Sequence, residues 1–198
     1  DDWRTSVPMD LLPGVFNPAS GALFSGNHRP VGSWYPIPIG ISTGAGGDTT
    51  RSWRLRERLE GSAKLSPEAI LAIHSDAVNP ARREIVRVGL HLRDRLKRTL
   101  PDDAMRALEV LGPWHRAGAS SSLATSGAEV AMELNTFFRF VSTELAYVYG
   151  GGESGLTYFL KTIGVRLDRD PSAAVSALEE AFIAGSLASA WPSASQKY

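Results

Sequence analysis

The sequence predicts a mainly α chain, with an irregular Pro/Gly-rich N-terminal arm, short strand content, and then a bundle of five to six helices. Three observations predict it. Before Arg51 the chain carries Pro8, Pro13, Pro18, Pro30, Pro36 and Pro38 with Gly40, Gly44, Gly46 and Gly47. Proline removes backbone donors and glycine tolerates positive φ, so long regular elements are not expected there. From Arg51 onward apolar residues recur every three or four positions, the period of a helix face. Helix stop and start residues punctuate that second stretch. The division is therefore an arm over 1–50 and a helical region over 51–198.

Within the arm, Ala22–Phe24 reads as a short strand. "RSWRLRERLEG" is a helix that stops at Gly61, a typical residue just past a C-cap. "SPEAILAIHSD" opens with Ser66 as N-cap and Pro67 at the first helical position. In "ARREIVRVGLHLRDRLKRTL" the inward stripe is Ile85, Val88, Leu92, Leu96 and Leu100. "DDAMRALEVLG" repeats the pattern, and "GAEVAMELNTFFRFVSTELAYVYGGG" reads as one helix ended by its glycine triplet. The connector "GASSSLATSG" (118–127) separates them. Finally "DPSAAVSALEEAFIAG" offers Asp170 as cap and Pro171 as start, with Val175, Leu178 and Phe182 inward.

Composition excludes several function classes. With 198 residues, 43% hydrophobic and 21% charged, the chain has a globular balance and enough length for one sizeable core. Basic and acidic residues number 21 each, so no net charge draws it to nucleic acid or to a membrane surface. Cysteine is absent, which removes disulfides, thiol catalysis and Cys-based zinc. No apolar run reaches the ~20 residues of a bilayer span. Val130 to Tyr149 is interrupted by Glu133, Arg139 and Glu144 and reads as a buried helix. Asp1 is not preceded by methionine and no signal peptide is visible, so the chain reads as a piece of a longer one.

Most local motifs carry little chemistry. His28, His74, His91 and His115 form no HxxxH or HExxH pair, so no metal site is expected from them. "STGAGGDTT" lacks a phosphate-loop lysine and reads as a flexible loop. "GGESG" matches a nucleophile elbow only loosely, with Leu156 where a final glycine belongs, and reads as a turn. Between Arg82 and Arg98 seven residues are basic against Glu84 and Asp94, a stripe that reads as a solvated helix face.

The stretch "NPASGALFSGN" differs. Leu12-Pro13-x-x-x-Asn17-Pro18-x-x-Gly21-x-Leu23-x-x-x-Asn27, followed by Tyr35-Pro36, resembles the penicillin acylase (penicillin amidase) family of N-terminal-nucleophile amide hydrolases. Arg51-x-x-Arg54-Leu55-x-x-x-Leu59 is similar to the next landmark of that family. "LSPEAILAIHSDAVNPARREIV" resembles its following helix pair, with Asp76 and Ala81 in place, and "LEVLGPWHRAGASSSLATSGAEV" its Trp-bearing region. The resemblance runs through nearly the whole chain and is most specific over residues 12–59.

The resemblance implies a role for two residues. Asn27 stands where the family places its oxyanion-hole asparagine, whose N–H stabilises the negative charge that forms on an attacked amide carbonyl. Arg51 matches an arginine that orders the active site. Taken alone, Asn27 also reads as a turn residue bonding its own backbone, and Arg51 as an exposed residue at a helix start. Phe24, Trp34 and Tyr35 are candidates either for the acyl-pocket wall or for packing the arm onto the helices.

The same resemblance implies a larger αββα hydrolase, matured from a zymogen, that cleaves N-acyl bonds through an acyl-enzyme. Penicillins, cephalosporins, acyl-homoserine lactones and other acyl amides all remain open as substrates. Its nucleophile is an N-terminal Ser, Thr or Cys whose own α-amine acts as base, whereas this chain begins Asp1-Asp2-Trp3. The chain alone is therefore expected to be inactive. Its expected partners are the acyl amide substrate and the remaining acylase segments, namely the nucleophile-bearing strand and the small subunit. Neither nucleic acid nor membrane is expected. Several members bind calcium through an Asp just after "YP", but "IPIGI" (37–41) has none, and His115 stands where an Asp is common. No cofactor is expected. Family members point to a periplasmic or secreted location. The competing class is a helical interaction module without catalysis, or a degenerate acylase.

Overall fold

The computed structural model of the chain describes residues 6–32, 34–37, 47–60, 64–122, 124–134 and 136–195. A single 3-10 turn, Met9–Leu11, interrupts the arm, which otherwise has no regular element among the described residues. The helices follow as α1 (Thr50–Leu59), α2 (Pro67–His74), α3 (Pro80–Asp94), α4 (Asp102–Arg116), α5 (Ala128–Met132), α6 (Thr136–Val141), α7 (Leu145–Tyr149), α8 (Gly152–Arg169) and α9 (Ala177–Ser195). The chain is mainly helical, as its apolar period predicts. The strand expected at Ala22–Phe24 does not form, as no ladder partner among the described residues reaches it. Among the described residues the one β-type contact is an isolated antiparallel bridge from Val78 to Ser120.

The core lies where α3, α4, α8 and α9 meet. Ile85, Val88 and Leu92 of α3 are fully buried, as the stripe predicts, and Leu108 and Leu111 of α4 face them. α9 runs through the middle with Phe182, Ile183, Leu187 and Ala190 buried. Leu187 approaches α3 so closely that a Cβ on Gly89 would lie 2.5 Å from its Cδ1, so glycine is what admits the contact. Phe159 of α8 meets Phe182 at 5.3 Å and Phe140 at 5.9 Å between ring centroids, and Phe140 meets Phe182 at 6.0 Å. These spacings fall in the favourable range for aromatic pairs.

Four boundaries differ from the sequence reading, the first being that of α3, which ends at Asp94 and not near Leu100. The segment 127–152, read as one helix, is three short ones. The Ser142 hydroxyl donates to the Arg139 carbonyl at 2.8 Å and the Thr143 hydroxyl to the Phe140 carbonyl at 2.8 Å. Such local bonds offer the backbone an alternative to continuing the helix. As a result Val130 to Tyr149 is not a uniformly buried helix, since Phe138, Tyr147 and Val148 are exposed. "GGESG" starts α8 instead of ending a turn, with Gly151 as its N-cap. Asp170 and Pro171 precede α9 without starting it. The Asp170 carboxylate closes its own turn, accepting from the Ser172 N–H at 2.9 Å and hydroxyl at 2.6 Å.

Several buried and half-buried charges are paired. Glu84, nearly inaccessible on α3, accepts from Arg87 at 2.6 and 2.9 Å, and Arg87 reaches Asp168 at 2.8 Å. Glu179 accepts from Arg166 at 2.7 Å. Much of the basic stripe is thus tied to acids of this chain, with Arg83 on Glu57 and Arg93 on Asp94 in α3, and Arg98, beyond its end, on Glu180.

Candidate active-site edge

The start of α1 is built by a reciprocal cap. The Thr49 hydroxyl accepts from the Ser52 N–H at 3.1 Å, and the Ser52 hydroxyl accepts from the Thr49 N–H at 2.9 Å. This capping box satisfies two donors that a helix N-terminus otherwise leaves without partners. Thr49 and Ser52 are buried, so the box is an anchor and not a solvent-facing turn. The last residues of "STGAGGDTT", read as a flexible loop, are this cap; residues 42–46 lie outside the described residues.

The arm docks on that cap at Gly26. The Thr49 hydroxyl donates to the Gly26 carbonyl, while the Gly26 N–H donates to His28 Nδ1 at 3.2 Å. A Cβ on Gly26 would lie 2.7 Å from the Ser52 backbone nitrogen and 2.9 Å from its Cα, distances no side chain tolerates. Only glycine allows this approach. Three residues on, the Arg29 N–H donates to the Gly47 carbonyl at 2.8 Å. The segment between is held at both ends, and Asn27 sits inside it with φ of 58°. That left-handed conformation disfavours most side chains, and asparagine is among the few that adopt it readily.

Phe24 completes the docking. Its ring lies 5.4 Å from the His28 ring, and the Arg56 guanidinium stands over it at 5.5 Å. Trp34 is 78% exposed and packs edge-on against Tyr35, whose hydroxyl donates to the Leu11 carbonyl. Of the three candidate wall aromatics, Phe24 alone lines the groove described next; Trp34 and Tyr35 pack the arm on itself.

Asn27 and Arg51 both flank the α1 cap, and both are solvent-exposed in this chain. The Asn27 side chain makes no hydrogen bond with a described residue. Arg51 borders a groove of about 740 Å³ between the arm, α1 and α2, with Phe24, Arg54, Leu55, Ile73 and Asp76 among its walls. Asn27 is not a wall of that groove. Arg51 makes no ion pair with a described residue, whereas Arg54 pairs with Asp76 and Arg56 with Asp48.

The cap is also gripped from α8, in a way the sequence reading missed. Glu153 Oε1 accepts from the Thr50 N–H at 2.9 Å and from its hydroxyl at 2.5 Å. Lys161 donates to Asp48 Oδ2 at 2.7 Å and stands 5.4 Å from the Trp53 ring centroid. Burial alone pushes the Asp48 carboxyl up, but Lys161, Ser52 and Arg56 together hold it below the usual carboxylate range. The available signal was a carboxylate and an ammonium eight positions apart on one amphipathic helix. It was hidden because "GGESG" reads as a helix stop.

A family model described as penicillin amidase matches residues 1–196. The chain belongs to the penicillin amidase family. It is similar to the penicillin acylase 2 proenzyme of Pseudomonas sp. (strain SE83), at 26% identity over 162 residues. Those residues are 79% of this chain but 18% of that proenzyme, so the chain spans about a fifth of the curated relative's length. No solved structure matches it.

The calcium ligand looked for from the family resemblance falls just after Tyr35-Pro36. Ile37 stands there and carries no side-chain oxygen, and calcium takes oxygen ligands.

Proposed function

We propose that this chain is the asparagine-bearing, helical part of an N-acyl amide hydrolase, with Asn27 as an oxyanion donor and Arg51 ordering the site. Membership in the penicillin amidase family supports the reaction class. The observation that carries the residue assignment is the pinned turn from Gly26 to Arg29. An oxyanion donor must be fixed before charge develops, because a donor that has to move costs reorganisation during the reaction. Gly26 on the Thr49–Ser52 cap and Arg29 on Gly47 provide that fixity.

The chemistry follows from these roles. A hydroxyl nucleophile, supplied by a segment beyond these residues, attacks the acyl carbonyl carbon and gives its proton to its own α-amine. The carbonyl π electrons move onto oxygen, where the Asn27 N–H donates to the developing charge. Collapse expels the amine, which takes the proton, and leaves an acyl ester. Water repeats the sequence, releasing the acid and restoring the hydroxyl. Loss of one such donor typically costs about 10²–10³ in rate.

Penicillin-type β-lactams and acyl-homoserine lactones both present an acyl amide of this kind, and a periplasmic or secreted setting suits either. The test is mass analysis of the full-length protein for self-cleavage, followed by a panel of acyl amides. The reading expects two mature chains and hydrolysis of at least one amide with a burst. An uncleaved precursor that hydrolyses none would overturn it.

A further inference from the structure

We propose that Glu153 is a positioning residue for Asn27, acting through the first turn of α1 from the opposite helix. This rests on the reading of Asn27 as an oxyanion donor and adds the part of the fold that sets where that donor stands. The chain of contacts is continuous. Glu153 Oε1 accepts both donors of Thr50, the preceding residue Thr49 is bonded to the arm through its hydroxyl, and that bond ends on the Gly26 carbonyl, one residue before Asn27.

The otherwise unabsorbed "GGESG" is what delivers the carboxylate. Gly150 and Gly152 have φ of 82° and 83°, which L side chains rarely adopt. A Cβ on Gly155 would overlap the Gly150 carbonyl at 1.5 Å. These glycines fold the chain back on itself as α8 begins, with Glu153 in its first turn. From there it meets the Thr50 N–H, which has no partner within α1 because it is the first residue of that helix. A carboxylate at this place also complements the positive end of the α1 dipole.

A second grip makes the arrangement directional. Lys161 holds Asp48 at 2.7 Å, and Asp48 Oδ1 accepts from the Ser52 hydroxyl at 3.1 Å. Glu153 and Lys161 are separated by about 12 Å along the α8 axis. α1 can neither slide along α8 nor pivot about one contact without breaking the other. Small misplacement of a catalytic donor costs on the order of 10²-fold in rate, so losing one grip registers in turnover.

The experiment uses the full-length, self-processed protein, with rates normalised to titrated active sites. Glu153→Ala, Glu153→Gln, Asn27→Gly and the double variant Asn27→Gly/Glu153→Ala are compared. Glu153→Ala should lower kcat by about 10- to 100-fold with KM nearly unchanged. Glu153→Gln should recover most of it, since its amide oxygen still accepts from both Thr50 donors. In the Asn27→Gly background Glu153→Ala should have almost no further effect, because the donor it positions is gone. Equal kcat losses from Glu153→Ala in both backgrounds, or a lowered Tm with kcat intact, would make Glu153 a structural staple and overturn the proposal. Full kcat in Asn27→Gly alone would instead overturn the reading of Asn27. If Glu153→Ala does not mature, Glu153→Asp carries the same cycle, its carboxylate being one methylene short of Thr50.

Discussion

Arg54 and Asp76 meet side-on, with Nε donating to Oδ1 at 3.1 Å and Nη2 to Oδ2 at 2.7 Å. They belong to two motifs that the sequence shows as separate landmarks. One is the arginine pair at the start of α1; the other is the aspartate after α2. Their bidentate pairing is the strong form of a charge-assisted hydrogen bond. Asp76 also accepts from the Val78 N–H at 2.9 Å, and Arg54 also holds Glu57 at 2.9 Å. The pair therefore locks the approach to α3 against the helix that bears Arg51.

Asp76→Ala should lower stability by about 1.5–3 kcal/mol, the range for a hydrogen bond to a charged group. Arg54→Lys should cost nearly as much, because an ammonium cannot make the two parallel bonds. Denaturant midpoints of the full-length protein test this. Equal midpoints for wild type and both variants would reduce the pair to a surface contact.

The arm's docking depends on the absence of one carbon atom. Gly26→Ala would push a Cβ into the Ser52 backbone, and neither the backbone nitrogen nor Cα can move aside without unwinding the cap. The arm should lift from α1, with a stability loss of about 1–3 kcal/mol and a larger fall in turnover. A wild-type kcat in Gly26→Ala would show that the docked arm plays no part in catalysis.

Thr49→Val keeps the shape of the cap residue but removes its hydroxyl. Two partners are lost at once, the Ser52 N–H and the Gly26 carbonyl. Loss of such a cap typically costs about 1–2 kcal/mol. Thr49→Ser retains the hydroxyl and should stay near wild type in melting temperature and rate. Identical behaviour of the Val and Ser variants would contradict the cap's role.

Stability should have an acid limb set by the paired carboxylates. For Asp48, Glu57 and Asp76 burial alone raises the pKa, but Lys161, Arg83 and Arg54 respectively, with further partners, bring each below its ordinary value of 3.8 or 4.5. A depressed carboxylate means the folded state binds fewer protons than the unfolded one near those values. The stabilisation is complete above them and is lost as pH falls through the lower folded-state values. Protection of the Val78 amide from hydrogen exchange should thus be flat down to about pH 5 and decline below about pH 4. A decline already beginning near neutral pH would implicate a different group.

The sequence made much of this legible. Ser66 and Pro67 do start α2, and the Ser66 hydroxyl accepts from the Ala69 N–H at 3.2 Å. Ile85, Val88 and Leu92 of the inward stripe are buried as its spacing implies, whereas Leu96, past the end of α3 at Asp94, is half-buried. Other elements were obscured by competing local signals. α8 was hidden behind glycines that usually end helices but here permit a sharp start. The true start of α9 is Ser176-x-x-Glu179, where Glu179 accepts from the Ser176 N–H at 2.8 Å and Ser176 from the Glu179 N–H at 3.3 Å. That is a capping-box spacing, overshadowed by the more familiar Asp170-Pro171. At the candidate site, the family resemblance singled out Asn27 and Arg51, while nothing in the sequence put them beside one helix cap. The tertiary contacts that fix them, from Thr49 and Glu153, join residues 23 and 103 positions apart, which no local pattern encodes.

The most direct measurement is the turnover of Asn27→Gly in the full-length, self-processed protein, per titrated active site. Glycine accepts the φ of 58° at Asn27 without strain, so the variant removes the amide while sparing the turn. The account predicts a kcat lower by about 10²–10³ with little change in KM. A turnover equal to wild type would mean that Asn27 serves only the bend of the chain, and that the oxyanion is stabilised elsewhere.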